Sequence, residues 1–170
     1  MKEWVKYLLL GVIIIIAQLI IEEYVNYHPL IHIAIFPLFI IILPTRINQI
    51  PLMLISLVIG LLIDILSDGI IGLNSAALIA MAFVKLPILN IIVNKNNIAE
   101  NSIISSKTLH LNSFSLYCLI MYTIFFLVYV ALDGIGYISI LYSVLRFIIY
   151  IILNTIISIL IDIGLSKQIN

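Results

Sequence analysis

Two carboxylates four residues apart are the side chains in this chain most able to do chemistry. Asp64 and Asp68 lie at the end of an aliphatic run, in the stretch Gly60-Leu-Leu-Ile-Asp64-Ile-Leu-Ser67-Asp68. An unpaired charge away from water is strongly destabilising, so each acid needs water, a polar partner or a functional role. Contact with water at a helix end explains Asp68. For Asp64, about one turn deeper, a binding site and a buried pairing both stay open.

The helix that carries Asp64 has a narrow strip of small and polar residues on one face. Ser56, Gly60 and Asp64 recur every four residues, which places them one above another along a helix. Small residues allow a second helix to approach closely, and polar groups form hydrogen bonds across helices. The strip therefore predicts a contact with another helix of the bundle or with the helix of a partner protein.

A longer polar stripe follows one face of the last hydrophobic run. It comprises Ser139, Ser143, Arg146, Tyr150, Asn154, Ser158 and Asp162. Lipid offers no hydrogen-bond partner, so the stripe must face the bundle interior, a cavity or another protein. Arg146 keeps its charge, and we expect it to form a bidentate ion pair with Asp64. The alternatives are an outward reach of the arginine to the interface and pairing with Glu22, Glu23 or Asp133.

The remaining residues show no pattern typical of a catalytic or metal site. The lone Cys118 excludes an internal disulfide and has no companion ligands at metal-binding spacing. A histidine pair, His28 and His32, follows two glutamates, but interfacial histidines are commonplace and no fixed ligand set is evident. No nucleophile stands beside a base, and no phosphate-binding loop is recognisable. We therefore predict a non-enzymatic protein that has no cofactor and no metal.

The composition places these residues in a membrane. The chain is 64% hydrophobic and 9% charged, with a mean hydropathy of +1.31. A soluble domain needs a more polar surface, and a net charge of zero excludes a general nucleic-acid surface. We predict one all-α domain over residues 1–170, a six-helix transmembrane bundle. Its spans are residues 4–21, 30–43, 51–66, 73–93, 114–132 and 138–164, with a polar connector at 94–113.

Residues 30–43 are the least regular of these spans. Their 14 residues reach only about 21 Å as a helix, and Pro37 removes a backbone hydrogen bond in the middle. A kinked or re-entrant segment is therefore an alternative. Charge favours six crossings, because the cations then share the cytoplasmic side with both termini, as the positive-inside rule requires. These cations are Lys2, Lys6, Arg46, Lys85, Lys95, Lys107 and Lys167.

The connector at residues 94–113 is rich in Asn and Ser. It faces the cytoplasm if all six spans cross. A solvated linker between two groups of three helices is the simpler interpretation, and a docking loop is the alternative.

The third span and the turn that follows it resemble a known family. Gly60-Leu-Leu-Ile-Asp64-Ile-Leu-Ser67-Asp68-Gly-Ile-Ile-Gly72-Leu-Asn74-Ser-Ala-Ala, preceded by Phe36-Pro37-Leu38 and a short turn with Arg46, resembles the rod shape-determining protein MreD. The length, the number of spans and the arrangement of loops are similar as well. The resemblance implies a fold like that of the substrate-binding S components of energy-coupling-factor vitamin transporters.

Membership of the MreD family implies a non-enzymatic subunit of the bacterial cell-elongation machinery in the inner, cytoplasmic membrane. Such proteins associate with the bitopic protein MreC. Through it they help to connect MreB filaments inside the cell to the transglycosylase RodA and a class B penicillin-binding protein, which synthesise peptidoglycan. The polar residues Ser56, Gly60, Asp64, Asp68, Arg146, Tyr150 and Asn154 are then expected to bind a partner or to join helices of the bundle.

Two other classes of function stay open. An S-component-like subunit would bind a small solute, and the polar faces of the third and sixth spans would line its pocket. The first span offers only Gly11 and Ala17, whereas an S component is expected to have an alanine-rich docking face. A well-formed pocket would favour transport, and a filled interior would favour a scaffold. An intramembrane enzyme has no candidate residues beyond Asp64 and Asp68.

Overall fold

The computed structural model describes residues 3–25, 30–67, 70–93, 103–133 and 139–168. Within these ranges the regular secondary structure is helical, and there is no β-strand. The helices are α1 (Glu3–Tyr24), α2 (Phe36–Ile42), α3 (Gln49–Leu66), α4 (Leu73–Ile92), α5 (Ser106–Leu109), α6 (Leu111–Asp133) and α7 (Ile140–Gln168). Five of them, α1, α3, α4, α6 and α7, are long and apolar enough to cross a membrane. The protein is therefore a helical, multi-pass membrane protein.

The second predicted span differs from the other five. Residues 31–35 are not helical, and α2 has only 7 residues. Pro37 lies in the first turn of α2, where a missing backbone N–H breaks no helical hydrogen bond. The prediction of a spanning helix at residues 30–43 is wrong, because apolar residues alone do not determine whether the backbone is helical. The kinked alternative describes this segment better.

This second segment, residues 31–43, runs through the interior of the bundle. The ring of His32 stacks on Tyr129 near the C-terminal end of α6, with ring centroids 4.8 Å apart. The carbonyl of Ile42 accepts a hydrogen bond of 3.1 Å from the N–H of Ile104, seven residues before the start of α6. A helix rises about 1.5 Å per residue, so the segment follows most of the length of α6. All 7 residues of α2 are buried.

The aromatic residues of α6 and α2 form the centre of the core. Phe36, Tyr122, Phe125 and Phe126 are fully buried. Phe36 and Phe125 meet edge to face with centroids 5.5 Å apart, and Phe125 and Phe126 do so at 5.0 Å. Each such pair contributes about 0.5–1.5 kcal/mol beyond the burial of its area. The second segment thus fills the space among α4, α6 and α7 with side chains.

Helices α3 and α4 pack closely because of one glycine. A Cβ atom added at Gly60 would lie 2.4 Å from the Cα of Ser75 and 2.7 Å from its backbone nitrogen. Only a residue without a side chain fits at this approach. The turn into α4 ends at Gly72, whose φ of +97° is a left-handed conformation that suits glycine.

Helix α1 lies at the edge of the bundle. Among its side chains that the structure describes, Gly11 and Gln18 are buried. Gly11 contacts the ring of Phe39, to which an added Cβ would lie 3.3 Å away. The two positions are seven residues apart and share a face, so α1 packs on the second segment along a narrow line. Its other face exposes aliphatic side chains that are suited to lipid.

The second half of the predicted connector is structured. Ile104 is buried, and Ser105 and Thr108 form a capping box at α5. The backbone N–H of Ser106 donates to Asp162 of α7 at 2.9 Å. We call residues 104–109 the ledge. The linker prediction therefore fails for this part, and residues 94–102 lie outside the described residues.

Candidate functional site

Asp64 lies at the junction of α3 and α4 and is 1% exposed. Its carboxylate accepts hydrogen bonds from the backbone N–H groups of Gly72, Asn74 and Ser75 at 3.0, 2.9 and 3.2 Å. The hydroxyl of Ser75 donates a fourth at 2.7 Å. The site of Asp64 is therefore the N-terminus of the next helix.

This arrangement replaces a missing helix cap. The N-cap position of α4 is Gly72, which has no side chain to bind the free N–H groups of the first turn. Asp64 binds them from the preceding helix, and its negative charge is favourable at the positive end of the α4 dipole. Gly60, one turn earlier on the same face, allows the two helices to come close enough for these contacts.

Arg146 does not pair with Asp64, so that prediction is wrong. Its Nη2 atom lies 2.7 Å from Oδ2 of Asp133, and its Nε donates to the hydroxyl of Tyr150 at 3.0 Å. The guanidinium also lies 5.4 Å from the centroid of the Tyr150 ring. Asp64 is engaged by the first turn of α4, whereas Asp133 ends the helix that packs on α7. Asp133, one of the alternatives, is the partner.

Two side-chain amides hold the non-helical residues 31–35, which we call the extended part of the second segment, from opposite sides. On one side, Gln18 of α1 donates to the carbonyl of Ile33 at 2.9 Å and accepts from the N–H of Ile35 at 2.8 Å. On the other side, Asn154 of α7 accepts from the N–H of Ala34 at 2.7 Å. It also donates to the carbonyl of His32, at 2.7 Å.

Each amide therefore forms the pair of hydrogen bonds that the backbone of a neighbouring β-strand would form. In an extended chain, successive residues direct their N–H and C=O groups to alternate sides, so one carboxamide can bind a carbonyl and the N–H two residues later. The hydroxyl of Tyr122 adds a bond of 3.2 Å to the carbonyl of Ala34 and one of 2.6 Å to Ser158. Inside a membrane protein, a non-helical backbone persists only with such internal partners.

Lys85 serves the other end of the second segment. Its ammonium group donates to the carbonyls of Ile40 and Leu43, at 2.7 and 2.6 Å, where α2 ends. The side chain is fully buried. Lys85, which we predicted among the cations of the cytoplasmic side, thus lies inside the bundle and not at its surface. The free carbonyls and the negative dipole end of α2 explain this location.

The predicted site residues form two separate groups. Ser56, Gly60 and Asp64 lie on the buried face of α3, and Arg146, Tyr150 and Asn154 lie on the buried face of α7. Gly60 and Asp64 of the first group contact α4, and the second group binds α6 and the second segment. The two groups are not joined by the expected ion pair. Asp68 and His28 are outside the described residues.

Three buried polar residues that hold the second segment were not predicted as site residues: Gln18, Lys85 and Tyr122. Gln18 and Lys85 are isolated polar residues in apolar helices. Their isolation is a signal, because such a side chain in lipid requires a partner and a broken helix supplies one. Pro37 and the shortness of the second span already indicated a break. Tyr122 carries no comparable signal, since buried tyrosines are common.

A few buried polar atoms keep spare hydrogen-bonding capacity. Within the described ranges, Ser56 Oγ, Asn74 Oδ1, Tyr117 Oη and Thr155 Oγ1 are buried without a hydrogen-bond partner. They belong to four different helices, α3, α4, α6 and α7. The described side chains of His, Cys, Asp and Glu also do not assemble into a group of three that could hold a metal ion.

Comparison of the chain with protein-family models, with curated proteins and with solved structures finds no match.

Proposed function

We propose that this protein is a non-enzymatic scaffold subunit of the bacterial cell-elongation complex, similar to MreD. It lies in the inner membrane and binds an MreC-like protein. Through this partner it helps to connect MreB filaments with RodA and a class B penicillin-binding protein. The resemblance of residues 60–77 to the MreD family supports this proposal, as does a chain with five helices suited to a membrane.

The observation that carries the proposal is how the buried polar groups are used. Asp64, Lys85 and Asn154 each bind free backbone groups of the same chain. Groups engaged in this way stabilise a bundle and are not available as nucleophiles or bases. A protein whose buried polarity stabilises its own shape is suited to present a defined surface to partners.

The filled interior supports a scaffold over a solute-binding transport subunit. His32, Phe36 and Phe126 occupy the region where the polar stripe of α7 would otherwise line a pocket. Small-molecule sites need a concave space with a few converging polar groups. Transport of a small solute is therefore the alternative that the experiments below must exclude.

The same proposal includes an even number of crossings with both termini in the cytoplasm. The second segment contacts residues near both ends of α6, so it connects opposite ends of the bundle although it is not one long helix. A cysteine introduced at Lys107, in a Cys118→Ala chain, tests this orientation in intact cells. The proposal requires protection from a membrane-impermeant maleimide, whereas labelling from outside contradicts it.

Depletion and co-purification test the function itself. We expect rod-shaped cells to become round on depletion, and an MreC-like protein to co-purify with the tagged chain from mild detergent. A vitamin or another small solute retained through purification, with cell shape unchanged on depletion, would instead favour transport.

Bulky substitutions on exposed helix faces locate the partner surface. Ile13→Trp on α1, Val58→Trp on α3 and Ile148→Trp on α7 each change a side chain that is exposed in the isolated chain. We expect one of them to reduce co-purification of the MreC-like protein while expression stays unchanged. The other two serve as its controls. Equal binding by all three variants would count against a partner on these faces.

A further inference from the structure

The second segment is attached to the polar network at the Asp133 end of the bundle. The ring of His32 contacts the rings of Tyr129 and Tyr150, at centroid distances of 4.8 and 5.6 Å. Tyr150 accepts a hydrogen bond from Arg146, which in turn pairs with Asp133. The segment therefore contacts a group of side chains that includes the ion pair between α6 and α7.

The other end of the segment is attached to the ledge. The carbonyl of Ile42 accepts from the N–H of Ile104, and the neighbouring carbonyl of Leu43 accepts from Lys85. Ile104 is fully buried, so the ledge packs on the bundle at this point. A shift of α2 along its own axis would therefore move or release residue 104.

The extended part of the segment is held differently from the helices around it. Five of its backbone hydrogen bonds are made to side chains of three residues, Gln18, Tyr122 and Asn154. A long helix is held by its own continuous ladder of bonds, so it moves as a rigid body. The extended part has no such ladder, so its position depends on the conformations of these three side chains.

We propose that residues 31–43 form a strap that couples the Arg146–Asp133 ion pair at one end of the bundle to the ledge at the other. A change at the ion pair moves the ring of His32, the strap shifts along α6, and α2 loosens its bond to Ile104. The two-state element is the strap, and both ends of the molecule influence it. This coupling is independent of the cellular complex in which the protein takes part.

Thiol labelling of a buried reporter tests the coupling. The purified chain carries Cys118→Ala and Ile104→Cys and is reconstituted in lipid nanodiscs, where a maleimide reaches both faces. A second chain carries Met81→Cys in place of Ile104→Cys. Met81 is fully buried in α4, one turn before Lys85, and takes no part in the side-chain hydrogen bonds described for the strap, so it reports general loosening. The rate of labelling measures how often each site opens.

Asn154→Leu should raise the labelling rate at position 104 about tenfold, which corresponds to ~1.4 kcal/mol in the opening equilibrium. Asp133→Asn should raise it about threefold, because the ion pair is partly exposed and acts through Tyr150 and His32. Glu23→Gln, a change of an exposed acid on α1, should leave the rate unchanged. Labelling at position 81 should stay constant in all variants.

Any of three results would overturn the proposal. An unchanged rate at position 104 in Asp133→Asn means that the strap does not transmit a change from the ion pair, and an unchanged rate in Asn154→Leu means that the strap does not control the ledge. An equal rise at positions 104 and 81 means that the whole bundle loosens. If Asn154→Leu does not fold, Tyr122→Phe replaces it, since this variant removes only the hydroxyl that binds Ala34 and Ser158.

Discussion

The turn before α4 and the extended part of the second segment both have buried backbone groups that no helix pairs. Different side chains bind these groups in the two places. At the start of α4 only N–H groups are free, and a carboxylate, Asp64, accepts from them. In the extended part both N–H and C=O groups are free, and the amides of Gln18 and Asn154 bind both. The type of side chain matches the backbone groups that a break leaves unpaired.

Lys85 completes the comparison. The end of α2 leaves only carbonyls free, and a side chain that only donates binds them. The acid thus binds unpaired N–H groups, the amine binds unpaired carbonyls, and each amide binds both. In a hydrophobic chain, a buried ionisable residue is often read as a binding site, but here each one has first to be considered as a partner of the backbone.

The largest effect is expected from Asp64→Ala. It leaves three N–H groups and a hydroxyl in the interior without their acceptor, and we expect a loss of about 3 kcal/mol or more in unfolding free energy. Asp64→Asn should lose less, because the amide oxygen still accepts. Thermal unfolding in nanodiscs measures both, with Glu23→Ala as the control on an exposed acid. Equal midpoints for Asp64→Ala and the control would contradict the capping role.

Asn154→Leu should cost about 2–3 kcal/mol, since one N–H and one C=O of the extended part lose their partner. Asn154→Asp separates the two halves of the amide, because a carboxylate still accepts from Ala34 but cannot donate to His32. We expect Asn154→Asp to be destabilised as well. Full stability in the aspartate variant would mean that the carbonyl of His32 needs no donor, and the comparison with Asp64 would fail.

Gly60→Ala should cost about 1–3 kcal/mol, because the new methyl group meets the backbone of Ser75 and forces α3 and α4 apart. Gly164→Ala is the matched control, since nothing lies within 4 Å of its added Cβ. There the higher helix propensity of alanine should give a neutral or slightly stabilising change. If both variants behave alike, the close approach of the two helices is not important for stability.

The smallest effect concerns the ion pair. Asp133 is 22% exposed, so a double-mutant cycle with Asp133→Asn and Arg146→Gln should give a coupling of about 0.5–1 kcal/mol. This coupling should weaken as the salt concentration rises. A coupling of several kcal/mol, insensitive to salt, would place the pair among the fully buried networks and remove its difference from the Asp64 site.

Spacing and hydrophobicity predicted much of this architecture and failed where the backbone is irregular. The four-residue spacing of Ser56, Gly60 and Asp64 identified the buried face of α3, and the stripe that contains Arg146 and Asn154 faces the interior along most of α7. Long apolar runs predicted five of the helices. These features follow directly from helical periodicity.

The second segment and the partner of Arg146 could not be predicted in the same way. The hydrophobicity of residues 30–43 predicts that they avoid water. It does not predict whether their backbone groups bond within a helix or to the side chains of Gln18 and Asn154. Depth in the membrane left several acids as partners for Arg146. The choice of Asp133 depends on the packing of α6 on α7, which is a tertiary property that the spacing within one helix does not contain.

The contact of α1 with the second segment forms in a fixed order during synthesis. Helix α1 leaves the ribosome before residues 33–35, so the amide of Gln18 enters the bilayer without its backbone partners. Asn154 is made more than a hundred residues later, when most of the bundle already exists. Until α7 is made and packs on the bundle, the extended part therefore lacks the two hydrogen bonds that Asn154 provides.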